Sequence, residues 1–333
     1  MSTNTALQVS ALPEPSAPAK PKCAPAWRAP AVLLLAGALA CTLLPDQLGV
    51  ITRIFVTALL VLSLDLVVGV AGLATLGHAA MFGVGAYAAG IFALRVVPEP
   101  LLGLAVGIGA GGVLALVSGA FLLRYQGFTF LMLTVAVAQI VLSLAQKARD
   151  WTGADDGLSG FSITPLLGRF AFDLEGNVAA WYALAVLVVV FYLLSRLVNS
   201  PFGLAVRGIH ENRSRMAALG TPIYRRLLAI YTIAGAVAGA AGALSAQTNA
   251  VVGLDSLSFA LSAELLVMLI LGGAGRLYGA VIGTVVFTLL HHTAASINPY
   301  HWLFVVGFLL MGVVLLPPAK VVAFVRRRMG GSR

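Results

Sequence analysis

Polar and apolar positions fall into long blocks along this chain instead of alternating at short range. A polar stretch carrying Pro13, Pro15, Pro18, Pro21 and Pro25 comes first. Ten apolar segments follow, at 29–44, 50–71, 79–97, 101–123, 128–145, 179–198, 227–249, 257–273, 277–296 and 302–319. An α-helix needs about 20 residues to cross the hydrocarbon core of a bilayer. The first and eighth segments are short for that. The eighth runs into Gly272-Gly273-Ala274-Gly275, which predicts a broken or half-crossing helix of the kind transporters use. If segments eight and nine form one re-entrant pair, ten crossings become eight. The pattern predicts an all-α polytopic membrane protein with 8–10 transmembrane helices, at least one of them short or broken. Three regions result: a disordered Pro-rich tail at 1–28, a membrane domain at 29–319 and a basic tail at 320–333.

Composition agrees. Of 333 residues 60% are apolar and only 10% charged, against about 25% charged in soluble domains. A soluble enzyme, a disulfide scaffold, a coiled coil and a disordered chain are excluded. The two cysteines, Cys23 and Cys41, support neither a disulfide framework nor a metal site. Net charge is +9, but the basic residues sit in short loops between apolar runs, so they set orientation and do not mark a nucleic-acid surface. With the N-terminus inside and alternating crossings, 16 of 21 Lys/Arg fall inside and eight of 12 acids outside. Both ends are therefore expected in the cytoplasm. A competing reading takes 29–44, with Ala38-Leu39-Ala40, as a cleavable signal peptide.

Three polar features stand out. The inside loop 199–226 offers Pro201 as a helix start and Gly220 with Pro222 as a stop. Val206, Ile209, Met216 and Leu219 recur at helical spacing among Arg207, Glu211, Arg213 and Arg215. That predicts a short amphipathic helix along the membrane with one face free for a soluble partner, or otherwise a basic loop that only fixes topology. The outside stretch 146–178 carries five acids, Asp150, Asp155, Asp156, Asp173 and Glu175, without EF-hand spacing and reads as a solvated loop. Within spans lie Asp65, His78 near a boundary, Gln139 and Glu264. A carboxylate at the bilayer centre costs about 2.5–3.5 kcal/mol, so Asp65 and Glu264 should face the bundle interior or a cavity. They are candidates for a translocation pathway or gate; interhelical hydrogen bonding is the plainer alternative.

Glycines at 275, 279 and 283, and at 235 and 239, recur every fourth residue and allow close helix approach. Gly69, Gly72, Gly77, Gly83 and Gly85 crowd one turn, where the backbone could unwind. Gly107 to Gly112 matches G-x-G-x-x-G inside an apolar span, with no preceding strand, and reads as helix packing. There is no P-loop sequence, so the chain has no such means of holding ATP, and neither H-E-x-x-H nor G-x-S-x-G occurs. His291-His292 lacks the spacing to chelate from one helix face.

Leu62-Ser63-Leu64-Asp65-Leu66, Gly69 to Leu73 and Leu76-Gly77-His78 through Tyr87 resemble the signature of the branched-chain amino acid ABC transporter permeases of LivM type. So do Asp155 to Gly160, Ser200-Pro201-Phe202-Gly203 with Arg207, Glu211-Asn212 and Ala218-Leu219-Gly220, and Glu264 through Gly279. The similarity runs in order over roughly residues 50–315. It implies a non-enzymatic permease subunit of a bacterial inner-membrane importer, carrying branched-chain or related amino acids and no cofactor of its own. Implied partners are a second permease, two ATPase subunits, a periplasmic substrate-binding protein and membrane lipid. Arg207, Glu211, Asn212 and Gly220 would couple to an ATPase, while Asp65, His78 and Glu264 would serve the pathway. Departures are Arg213-Ser214-Arg215-Met216, where small and acidic residues are expected, Gln139 where an acid is common, and Asp65 where Asn is also common. Related permeases carry urea, amides or aromatic acids. An ion-coupled secondary transporter using Asp65 and Glu264 is the alternative.

Overall fold

Lipid offers no water to backbone groups, so each apolar block must close its own hydrogen bonds as a helix. A computed structural model describes residues 28–160, 164, 176–297 and 307. The tail before Arg28, the segment 302–319 except Gly307, the basic tail and most of 161–175 lie outside the described residues. The other nine apolar segments are all helical. They are α1 (Arg28–Leu43), α2 (Leu48–Asp65), α3 (His78–Arg95), α4 (Pro100–Leu122), α5 (Phe128–Lys147) and, after the short α6 (Arg149–Thr152), α7 (Asn177–Asn199). Next come α8 (Pro201–Glu211), α9 (Arg213–Ala218), α10 (Ile223–Asn249), α11 (Phe259–Gly272) and α12 (Leu277–Ile297). The protein is an all-α polytopic membrane protein. Among the described residues five helices are long and apolar enough to cross a bilayer: α2 with its continuation, α4, α5, α7 and α10. The α1 helix is shorter, and the Gly/Ala-rich α3 runs between the two sides inside the bundle.

The α2 helix is apolar on every face and buried on nearly all of them, which makes it the centre of the subunit. Its last turn widens into a π-helix over Leu66–Val70, which the sequence pattern did not indicate. The α3, α4 and α10 helices pack through glycines: a Cβ on Gly239 would overlap the backbone of Gly107 and Gly111 of α4, and Gly85 of α3 lies against Gly239. The G-x-G-x-x-G match thus serves helix contact. The α1 helix rests on α7, with Gly37 against Leu184.

The eighth and ninth segments form the bent pair α11–α12, turning by 115° at residues 273–276. Glu264 of α11 and His291 of α12 open into one cavity with Arg53 near the start of α2, while the tip between them reaches Gly69 at α2's other end. The pair is therefore re-entrant. Loops 44–47, 96–99, 148–160 and 250–258 gather on one side, tied by Arg95 over Trp151 at 3.7 Å and by antiparallel β1 (Leu158–Ser159) and β2 (Val251–Val252). The exposed Arg149–Asp156 pair at 3.7 Å adds little there. Loops 71–77 and 123–127 and the α8–α9 segment gather on the other side, as alternating crossings require.

Candidate functional site

Three polar places are built into this apolar frame. The first is a cavity of about 450 Å³ on the side of loops 250–258. Arg53, Asp255, Glu264 and His291 supply its charged and titratable groups, and Thr52, Ser245 and Thr248 its hydroxyls and neighbours. Leu60, Phe82, Leu261, Met268 and Phe287 form its apolar wall. Glu264 is half-buried and within Coulomb range of Arg53, though the two make no ion pair. The cavity therefore presents opposite charges at separate points above an apolar floor. Of the pathway residues expected from sequence, Glu264 alone lines it. Arg53, Asp255 and His291 were missed as members: Arg53 reads as a topological charge at a helix start, and only the folding back of α12 brings His291 to it.

The second place is the core around Asp65 and His78. Both side chains are fully enclosed and neither lines the cavity. Asp65 Oδ1 accepts the Gly275 N–H at 2.7 Å, and Oδ2 has no hydrogen-bond partner. His78 Nε2 lies 2.7 Å from Ser63 Oγ, which is also 2.6 Å from the Leu60 carbonyl. The single Ser63 hydroxyl proton can serve only one of these. If it donates to Leu60, Nε2 carries the ring proton and donates to Ser63, leaving Nδ1 as the atom without a partner. Irregular backbone at 71–77 is tolerable here because side chains satisfy it: the Leu76 N–H donates to Thr134 Oγ1 at 3.3 Å and the Ala79 N–H to Ser262 Oγ at 3.1 Å. Asp65 and Glu264 thus share no cavity, so the structure does not bring them together as an ion relay.

The third place is the segment 199–226, which holds two helices where the hydrophobic pattern predicts one. Ser200 caps α8, its Oγ accepting the Gly203 N–H at 3.3 Å, and Pro201 follows at the first helical position. Asn212 then leaves helical geometry, and its Oδ1 caps α9 by accepting the Arg215 N–H at 2.9 Å. Val206 and Ile209 are buried and Met216 half-buried, as their spacing predicts, but Leu219 is 73% exposed. Glu211, Asn212 and Gly220 are exposed, whereas Arg207 is half-buried and within Coulomb range of Asp65. Arg213, half-buried, has its guanidinium pushed down from the usual arginine range by burial.

Comparison with known proteins places these features in context. Residues 47–314 match the family described as branched-chain amino acid transport system / permease component. The high-affinity branched-chain amino acid transport system permease protein LivM of Escherichia coli (strain K12) is 27% identical over 81% of this chain and 68% of its own length. The Salmonella typhimurium (strain LT2) protein of the same name is 28% identical over 81% and 69%. The galactose/methyl galactoside import permease protein MglC of the same Salmonella strain is 26% identical over 62% and 63%. No solved structure matches the chain.

Proposed function

The chain belongs to the branched-chain amino acid transport system / permease component family, and from that premise we propose that it is the membrane-spanning subunit of an ATP-driven importer in a bacterial inner membrane. A binding protein delivers solute to the cavity from outside. ATPase subunits dock inside on the ledge made by α8 and α9, with Glu211 and Asn212 as contacts, and a second permease completes the pathway. The observation that carries this reading is the placement of a capped, polar helical ledge on the side opposite a membrane-depth cavity. Energy applied at one end and solute received at the other is what a rocking permease requires.

The cavity favours one substrate class. Arg53 and Glu264 offer a cation and an anion at separate points, with Leu60, Phe82 and Met268 beside them. A zwitterion with an apolar side chain, such as a branched-chain amino acid, matches all three features. A sugar of the kind named for the MglC relatives would leave both charges uncompensated in a site closed by a partner, which is costly. Reconstitution tests the reading: uptake of leucine into proteoliposomes should need both ATP and a binding protein. Full uptake by the wild type without either overturns it. Glu264→Gln should lower leucine uptake at least tenfold while the subunit still assembles with its partners.

A further inference from the structure

The α8–α9 ledge also walls two cavities that Glu211 and Asn212 do not line. In the larger, of about 430 Å³, α9 stands across from loop 123–127 and the start of α10, and the walls include Leu123, Gln126, Arg213, Ser214, Tyr224 and Leu227. The smaller, of about 190 Å³, shares Gln126 and Arg213 with it and adds Gly72 and His210. Among the described residues no carboxylate lines either one. Loop 123–127 and segment 199–226 carry six arginines against a single acid, Glu211, which is exposed. Arg213 is half-buried, yet its side chain has no hydrogen-bond or ion-pair partner among the described residues. Withdrawing a guanidinium from water is costly unless an anion or acceptors replace that water. Nor does any hydrogen bond among the described residues join α9 to loop 123–127.

The larger cavity opens where two crossing helices end. The α4 helix stops at Leu122 and α10 begins at Ile223, and the Tyr224 hydroxyl ties them by donating to the Ala120 carbonyl at 2.8 Å. Apolar crossing surface gives way to arginines at this level, which is headgroup depth. Phe121 and Phe128, on either side of the loop, are largely exposed and present apolar rings to acyl chains. The skew of basic residues assigns this side to the cytoplasm. Anionic lipid gives the cytoplasmic leaflet its negative potential, and basic pockets between crossing helices there take anionic headgroups. A phosphodiester fits the donor set: Arg213 offers a planar fork of N–H groups, Gln126 an amide and Ser214 a hydroxyl. Free phosphate would meet the same donors but leave the apolar rings beside them without a partner. We infer that the cavity between α9 and loop 123–127 binds the phosphate of an anionic phospholipid of the cytoplasmic leaflet, with Arg213 as its principal ligand and Gln126 meeting it from the loop. The headgroup thereby bridges α9 to the loop and holds the ledge against the ends of α4 and α10. The site is a property of this chain and does not depend on what drives the subunit.

Native mass spectrometry on the intact purified chain in detergent reads the site, with phosphatidylglycerol titrated against phosphatidylcholine of the same acyl chains. The wild type should bind its first phosphatidylglycerol about fivefold more tightly or better, which is what one basic residue contributes beside an anionic lipid surface. Arg213→Ala should bring the two lipids to nearly equal affinity. Arg213→Lys, which keeps the charge without the fork, should fall between. Gln126→Glu sits on an exposed loop and sets a carboxylate against the phosphate, so it should abolish the preference even if Arg213→Ala fails to fold. Arg215→Ala also removes a positive charge from α9, but Arg215 lines neither cavity, so this variant should keep the wild-type preference. Equal binding of the two lipids by the wild type overturns the proposal. So does a loss in Arg215→Ala as large as in Arg213→Ala, which would mark a diffuse basic surface. Displacement of bound phosphatidylglycerol by inorganic phosphate, but not by chloride at equal ionic strength, would make this a free-anion site and overturn it too. Release of the lipid on adding ATPase subunits would make the cavity a protein interface, with the same consequence. Wild-type leucine uptake without ATP would instead sink the importer reading and leave the lipid preference standing.

Discussion

The glycine contact among α3, α4 and α10 is a tight backbone constraint, and it yields a quantitative prediction. In Gly239→Ala the new methyl would meet Gly111 Cα at 3.0 Å and the Gly107 carbonyl carbon at 3.1 Å, with the Gly107 oxygen closer still. All three are backbone atoms, so no side chain can rotate away. The helices must separate by several tenths of an ångström, and a gap of 0.5–1 Å forfeits roughly a quarter to a half of each dispersion contact. Overpacking of this kind costs about 1–3 kcal/mol. Gly109→Ala lies on the same helix as Gly107 but has nothing within 4 Å of the added carbon. Both substitutions gain about the same helix propensity, close to 1 kcal/mol. Their difference therefore isolates the steric cost, and Gly239→Ala should be less stable than Gly109→Ala by about 1–3 kcal/mol. Reversible unfolding in SDS–detergent mixed micelles measures it. Equal stabilities, or Gly239→Ala the more stable, would refute the backbone contact.

Two further outcomes are expected. Ser200→Ala removes the α8 cap and should cost about 1 kcal/mol of local stability, read as faster hydrogen exchange at the Gly203 amide with the crossing helices unaffected. Ser63→Ala strands the buried His78 ring without its 2.7 Å partner and should cost about 1–3 kcal/mol. In a cycle with His78→Phe most of that cost should disappear, and additive effects would show that the ring and hydroxyl do not interact.

The crossing segments, their order and the ledge were legible in the amino-acid sequence because a bilayer acts as a local rule: length, apolarity and a helix-opening Pro201 can be read within one turn or one span. The boundaries of α2 taken with its π turn, of α4 and of α7 accordingly fall within two residues of the apolar blocks. Asp65, His78 and Glu264 could be singled out as costly, but not sorted. Burial cost is a property of the residue, while its partner is a property of the packing. The hydrogen bond that explains Asp65 spans 210 positions. The gathering of Arg53 with Glu264 and His291 and the return of α12 alongside α11 depend in the same way on segments far apart in the chain. Hydropathy reports how deep a residue prefers to lie; which neighbour meets it there follows from how glycine-lined helices interlock, and that is a long-range steric outcome no local pattern encodes.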